Sequence, residues 1–191
     1  FDRVVAVSEK VRRECHVGPL RKRDIPVIAN GVAMPSAVAE ADAEDIRQEL
    51  NISSGHLLIG CVARLTREKG HIFLLEAFAD VVRRSAIPVF LLLMGDGVEK
   101  EPLQQLCHRL GLQDRVRFLG HRGDVPAFLR QLDLFILPSL SEGLPMALLE
   151  AMAAAVPVLS TTVGGIPDIL DHGQAGVLVS PGDVPALAAA M

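Results

Sequence analysis

The chain has 191 residues, enough for one ordinary domain and part of a second. Half of them are hydrophobic and 22% are charged, which excludes a disordered chain, and seven Phe with no Trp or Tyr argue against a surface built to stack bases or sugars on rings. The formal charge of −4 gives nucleic acid no general attraction, so any phosphate site must rest on a few placed cations.

In chain order, short apolar runs alternate with amphipathic stretches. Residues 3–7 and 26–29 read as strands, followed by the turn dipeptide Asn30-Gly31 and a small-residue, acidic stretch. The first thirty-odd residues therefore look like the end of a preceding domain and a linker. A helix is predicted over 43–50 with Asp42 as its cap, then a strand at 57–62. The helix at 70–84 places Phe73, Leu74, Ala77, Phe78 and Val81 on one face. Strand 89–94, helix 99–110 closed by Gly111, strand 116–119 and helix 124–131 follow. The last predicted elements are strand 134–137, helix 145–155 opening on Pro145, strand 158–160, helix 167–171, strand 176–179 and helix 184–190. Several strands are nearly continuous in Val, Ile and Leu, as in strands covered on both faces. The fold class is α/β: a Rossmann-like parallel sheet with helices on both faces.

Cys15, Cys61 and Cys107 are widely spaced and form no C-x-x-C, so buried free thiols are expected rather than a disulfide or zinc site. No signal peptide is recognisable, and the longest apolar run, 86–94, is too short to span a bilayer. The chain opens on Phe1, as a piece that starts inside a longer protein would.

Three segments at strand ends can carry chemistry. Arg64 and Lys69 lie in the loop before the 70–84 helix. A guanidinium fork, an ammonium and helix N–H groups facing one way suit a diphosphate. Two solvated loop cations are the plainer alternative. Glu142 and Glu150 form E-x7-E around Gly143-Leu144-Pro145, one carboxylate in a loop and the other about 7–8 Å along the helix. Carboxylates accept pairs of hydrogen bonds from vicinal hydroxyls, so this spacing suits sugar-like rings joined by a phosphate bridge. Glu150 stands among Leu148, Leu149, Ala151 and Met152, where an unpaired carboxylate is costly. In the third segment, Gly120, His121 and Arg122 can hold a base through backbone groups, or form an exposed polar turn. The chain has no G-x-G-x-x-G after a strand, no G-x4-G-K-[ST], no G-x-S-x-G, no metal spacing among its six His and no D-x-D.

The ordered pieces are Val27-Ile28-Ala29-Asn30-Gly31-Val32, Ala63-Arg64-Leu65 with Lys69-Gly70, Gly95-Asp96-Gly97, Val116 to Gly120, Asp133 to Ser139, Glu142 to Glu150, Pro157-Val158 and Gly164-Gly165-Ile166-Pro167. Together they resemble the C-terminal domain of the family 4 (group 1) glycosyltransferases of GT-B fold, over nearly the whole chain. The resemblance implies that residues 1–35 end an N-terminal domain and linker, and that 36–191 form a donor-binding domain truncated at its C-terminus. It implies that Arg64 and Lys69 bind the diphosphate of a UDP- or GDP-sugar, that Glu142 contacts the transferred sugar with the backbone of Gly143 and Leu144, and that Glu150 binds the ribose. The loop at Gly120, His121 and Arg122 would border the base. It further implies retaining, metal-independent transfer without a cofactor, to a lipid, saccharide or small-molecule acceptor held by the N-terminal domain. A cytoplasmic location is expected, with any membrane attachment supplied by the other half, and this chain alone is expected to be inactive. Ala63, Val98 and Ala154-Ala155 stand where the family more often has Gly, Pro and Gly. A GT-B epimerase or phosphorylase, or a non-catalytic scaffold, would keep the same fold.

Overall fold

The structure, a computed structural model, describes residues 4–15, 25–33 and 45–191. Six apolar runs form strands β1 (Leu57–Val62), β2 (Val89–Met94), β3 (Val116–Gly120), β4 (Leu134–Leu137), β5 (Val158–Thr161) and β6 (Val177–Val179). Every pairing is parallel, in the order β3-β2-β1-β4-β5-β6.

Alternation along each strand assigns its side chains to two cores. Ile59, Cys61, Leu91 and Leu93 pack with the helices α3 (His71–Arg84), α4 (Lys100–Leu110) and α8 (Val184–Ala190). Leu58, Phe90, Leu92, Phe135 and Leu137 pack on the opposite side, with α2 (Ile46–Glu49), α5 (Val125–Leu129), α6 (Met146–Ala153) and α7 (Ile166–Ile169). All six residues of β2 are buried, which explains a run with no polar alternation. Each such Leu or Phe contributes about 1.5–3 kcal/mol on burial, which fixes the strand ends that carry the loops.

Chain order reverses between β1 and β4. Their register holds only at Ile59↔Leu134 and Gly60↔Phe135. Ligands of open parallel sheets bind beyond the carboxyl ends of the strands at such a reversal.

Some expected elements differ. Residues 4–7 and 26–29 form no strand of the sheet; they meet in one parallel bridge, Ala6↔Val27, which stands apart from it. A helix not expected from sequence, α1 (Glu9–Cys15), follows. Ser8 starts it, its hydroxyl accepting from the Val11 amide at 3.2 Å. The proposed cap Asp42 lies outside the described residues. In its place Asp45 caps the four-residue α2 by accepting from the Arg47 amide. The expected boundary at residue 35 also lies outside them. Pro145 precedes α6 in extended conformation instead of opening it, and the helix stops at Ala153. Cys61 and Cys107 are free and buried. Among the described residues, no helix is long and apolar enough to cross a membrane.

Candidate functional site

The loop after β1 turns sharply. Residues Arg67–Lys69 form a single 3-10 turn that ends at Gly70, with φ 68°, before α3 begins. Gly70 is required twice over. Its conformation is left-handed, and a Cβ there would lie 2.1 Å from the Pro138 carbonyl oxygen at the end of β4. The loops after β1 and β4 are thus in backbone contact, and the Leu140 amide donates to the Glu68 carbonyl at 2.8 Å.

This contact brings Lys69 and Glu142 together. The ammonium donates to Glu142 Oε1 at 2.6 Å, with the two side chains only 15% and 7% exposed. The Ser139 hydroxyl donates to the same oxygen at 2.7 Å. Behind them, the Thr161 hydroxyl of β5 donates to the Ser139 carbonyl at 2.6 Å. The Gly165 amide donates to the Gly143 carbonyl at 2.8 Å. Gly164, at φ 59°, lies so close that a Cβ would come within 2.1 Å of the Glu142 carbonyl oxygen. Loops after β1, β4 and β5 therefore converge on Glu142, the first two at its carboxylate and the third at its backbone. The segment before α1 joins them, since Val7 and Val11 lie beside Gly143 and Ser8 beside Gly165.

His71, 2% exposed, sits at the start of α3 with Nε2 3.7 Å from Cys61 Sγ. Burial, and then the Lys69 charge, depress its pKa from 6.5 to about 4, so the imidazole is neutral near pH 7. Burial pushes the Cys61 thiol up to about 12. His71 and Cys61 are thus both uncharged near pH 7, beside the charged Lys69. A cavity of about 410 Å³ opens beside the first turn of α3, between Thr66, His71, Phe73 and Leu103, and includes neither Lys69 nor Glu142.

The other expected site residues divide. Arg64 lies on the same loop, but its side chain is 74% exposed and its ion pair is with Glu68 at 3.3 Å. Glu150 lies half-buried on α6, its carboxylate without a hydrogen-bond partner or ion pair among the described residues. Gly143 and Leu144 lead into that helix. Their amides donate to no backbone carbonyl among the described residues. Gly120 ends β3 at φ 67° and its carbonyl accepts from the Gly95 amide at 2.8 Å, joining the loops after β2 and β3. His121 is exposed. Arg122 is held by carboxylates, with Glu49 accepting from it at 2.7 and 2.9 Å and Asp124 at 2.8 and 2.9 Å. Asp124 first, then Glu49, raise the guanidinium pKa further, which makes Arg122 a clamp between α2 and the loop after β3.

Residues 42–191 match the family model described as "Glycosyl transferases group 1". The chain belongs to this family. Among curated group 1 relatives it is 34% identical over 187 residues to N-acetyl-alpha-D-glucosaminyl L-malate synthase of Bacillus anthracis, covering 98% of this chain and 48% of that protein. It is 29% identical over 176 residues to UDP-Gal:alpha-D-GlcNAc-diphosphoundecaprenol alpha-1,3-galactosyltransferase of Escherichia coli, covering 90% of this chain and 44% of that one. Anabaena HepE, solved in complex with UDP-glucose, superposes with a TM-score of 0.83 at 29% identity, covering 98% of this chain and 52% of that one. The chain spans about half the length of the curated relatives it matches. Its parallel sheet is the Rossmann-like half expected of a group 1 glycosyltransferase of GT-B fold.

Sequence reasoning missed Ser139, Thr161 and His71. For Ser139 and Thr161 the signal was a small polar residue at or just past the end of an apolar strand, where a buried hydroxyl needs a partner; nothing in the sequence marked His71, the first residue of α3.

Proposed function

We propose that the chain is the donor-binding half of a retaining, metal-independent glycosyltransferase that takes a nucleotide diphosphate sugar, with a UDP-sugar favoured over a GDP-sugar. The Lys69–Glu142 pair at the strand reversal carries this conclusion, because it sets a cation and a sugar-seeking carboxylate side by side beyond the carboxyl ends of the central strands β1 and β4. The UDP and UDP-glucose complexes of Anabaena HepE support the choice of nucleotide.

In this reading Lys69, with Arg64 at the rim, stabilises the charge that grows on the β-phosphate as the glycosidic bond breaks. A buried ammonium and a guanidinium at the rim do for the leaving group what a metal ion does elsewhere. Glu142 accepts from hydroxyls of the transferred sugar, beside the amides of Gly143 and Leu144. Glu150 takes the ribose hydroxyls. Gly120 and His121 border the base on a loop that Arg122 holds in place. The other half of the enzyme binds the acceptor, so this chain by itself binds donor and transfers nothing.

Calorimetric titration of the full-length protein tests this. Saturable binding of UDP and UDP-sugars is expected, weakened at least tenfold by Lys69→Ala, and the glycoside product keeps the donor's anomeric configuration without added metal. No saturable binding of any nucleotide diphosphate, or affinity unchanged by the substitution, overturns it. Sugar isomers accumulating without glycoside would favour an epimerase instead.

A further inference from the structure

We propose that Ser139 is a positioning residue, which turns Glu142 so that one chosen oxygen, Oε2, meets a single hydroxyl of the donor sugar; this rests on the donor-binding reading above. Two donors converge on Glu142 Oε1, the Lys69 ammonium at 2.6 Å and the Ser139 hydroxyl at 2.7 Å. Among the described residues nothing donates to Oε2. A carboxylate held by one oxygen presents the other in a fixed direction.

The two donors play different parts. An ammonium on a flexible four-carbon stem is a point charge with little directional demand. By itself it lets the carboxylate swing. The Ser139 hydroxyl sits two residues beyond the end of β4, is fully buried, and supplies the direction. Its own backbone is fixed from β5. The Thr161 hydroxyl donates to the Ser139 carbonyl at 2.6 Å, and the Ser160 hydroxyl to the Leu137 carbonyl at 2.8 Å. All three hydroxyl residues are at most 2% exposed. Apolar residues would suit that interior better, and burying a hydroxyl costs free energy unless it is bonded. Each of these hydroxyls is bonded to the end of β4 or to the carboxylate that follows it. From the other side, the close packing of Gly164 against the Glu142 carbonyl fixes the backbone.

The consequence is selectivity for one hydroxyl. The test uses the full-length enzyme, a UDP-sugar that it transfers, and the set of monodeoxy analogues of that donor. In the wild type, removing one hydroxyl should lower kcat/KM far more than removing any other. Ser139→Ala should lower kcat/KM for the parent donor about 10- to 100-fold, as for loss of a hydrogen bond to a charged group, and should shrink the penalty for that one hydroxyl toward unity. Affinity for UDP alone should not change, and Ser139→Thr should restore part of the discrimination. Thr161→Val, which keeps the side-chain shape, should move the same ratio by less and serves if Ser139→Ala does not fold. An equal loss for every analogue, or an undiminished penalty in both variants, overturns the inference while leaving donor binding intact. A wild type that binds neither UDP nor UDP-sugar removes the donor-binding reading, and this inference with it.

Discussion

The loop after β1 supplies the cation of two ion pairs, one closed within that loop and one to the loop after β4, and they differ in nearly every physical respect. Arg64 and Glu68 are four residues apart, 74% and 44% exposed, and 3.3 Å from each other. Lys69 and Glu142 are 73 residues apart, 15% and 7% exposed, and 2.6 Å from each other. A pair of the first kind is screened by water and contributes about 0.2–1 kcal/mol. In the second kind, each charge loses hydration that only its partner and a third group, here the Ser139 hydroxyl, replace. The buried pair is therefore a poor route to stability for its own sake. Its retention in the interior fits a requirement for a fixed charge and a fixed carboxylate beyond the carboxyl ends of β1 and β4.

The largest expected effect comes from breaking the buried pair on one side. Lys69→Met leaves Glu142 buried without its cation and should cost about 3–5 kcal/mol in urea unfolding. Adding Glu142→Gln should recover much of that loss; if it does not, the pair is not the source of the cost. His71 comes next. Its folded pKa of about 4 lies below the unfolded 6.5, so between those values the unfolded chain binds more protons. This contribution is fully present above about pH 6.5 and is lost as pH falls toward 4, by roughly 3 kcal/mol in all. Melting temperatures at pH 7 and pH 4.5 should show the drop, and His71→Gln should reduce it. Because Lys69 adds to the depression of the His71 pKa, Lys69→Met should also make the pH dependence shallower.

Ala155, just past the helix that follows Glu142, gives a smaller effect. Its φ of 57° is left-handed, where an L side chain costs about 1–2 kcal/mol. It is one of the two residues, Ala154-Ala155, that stand where the resembling family more often has Gly. Ala155→Gly should therefore raise stability by about 1 kcal/mol, read as an upward shift of the thermal midpoint, without altering the buried pair. The smallest stability effect belongs to the exposed pair. Arg64→Ala should change unfolding free energy by under about 0.5 kcal/mol. It should nonetheless weaken UDP binding in calorimetry about tenfold, which separates its proposed role at the rim from any structural one.

Much of this molecule could be read from residue order. Unbroken runs such as 89–94 marked strands covered on both faces, and the spacing of Leu74, Ala77, Phe78 and Val81 marked the long helix, because backbone periodicity is a local property. The resemblance that named Lys69, Glu142 and Glu150 was equally linear. Short stretches misled where context decided: residues 4–7 and 26–29 have strand composition, yet among the described residues they pair in one bridge, Ala6↔Val27, apart from the sheet.

Residue order alone settled the six strands and the long helix α3, and which residue types stand at their ends. The tertiary structure decided who meets whom. Lys69 finds Glu142 only because β4 lies beside β1 in the sheet, Ser139 finds its carboxylate only where the chain leaves β4, and Arg122 meets Glu49 across 73 residues of chain. Local periodicity is written in neighbouring residues. Burial of a charge depends on packing among strands far apart in the chain, and it is settled only once the sheet has closed its order.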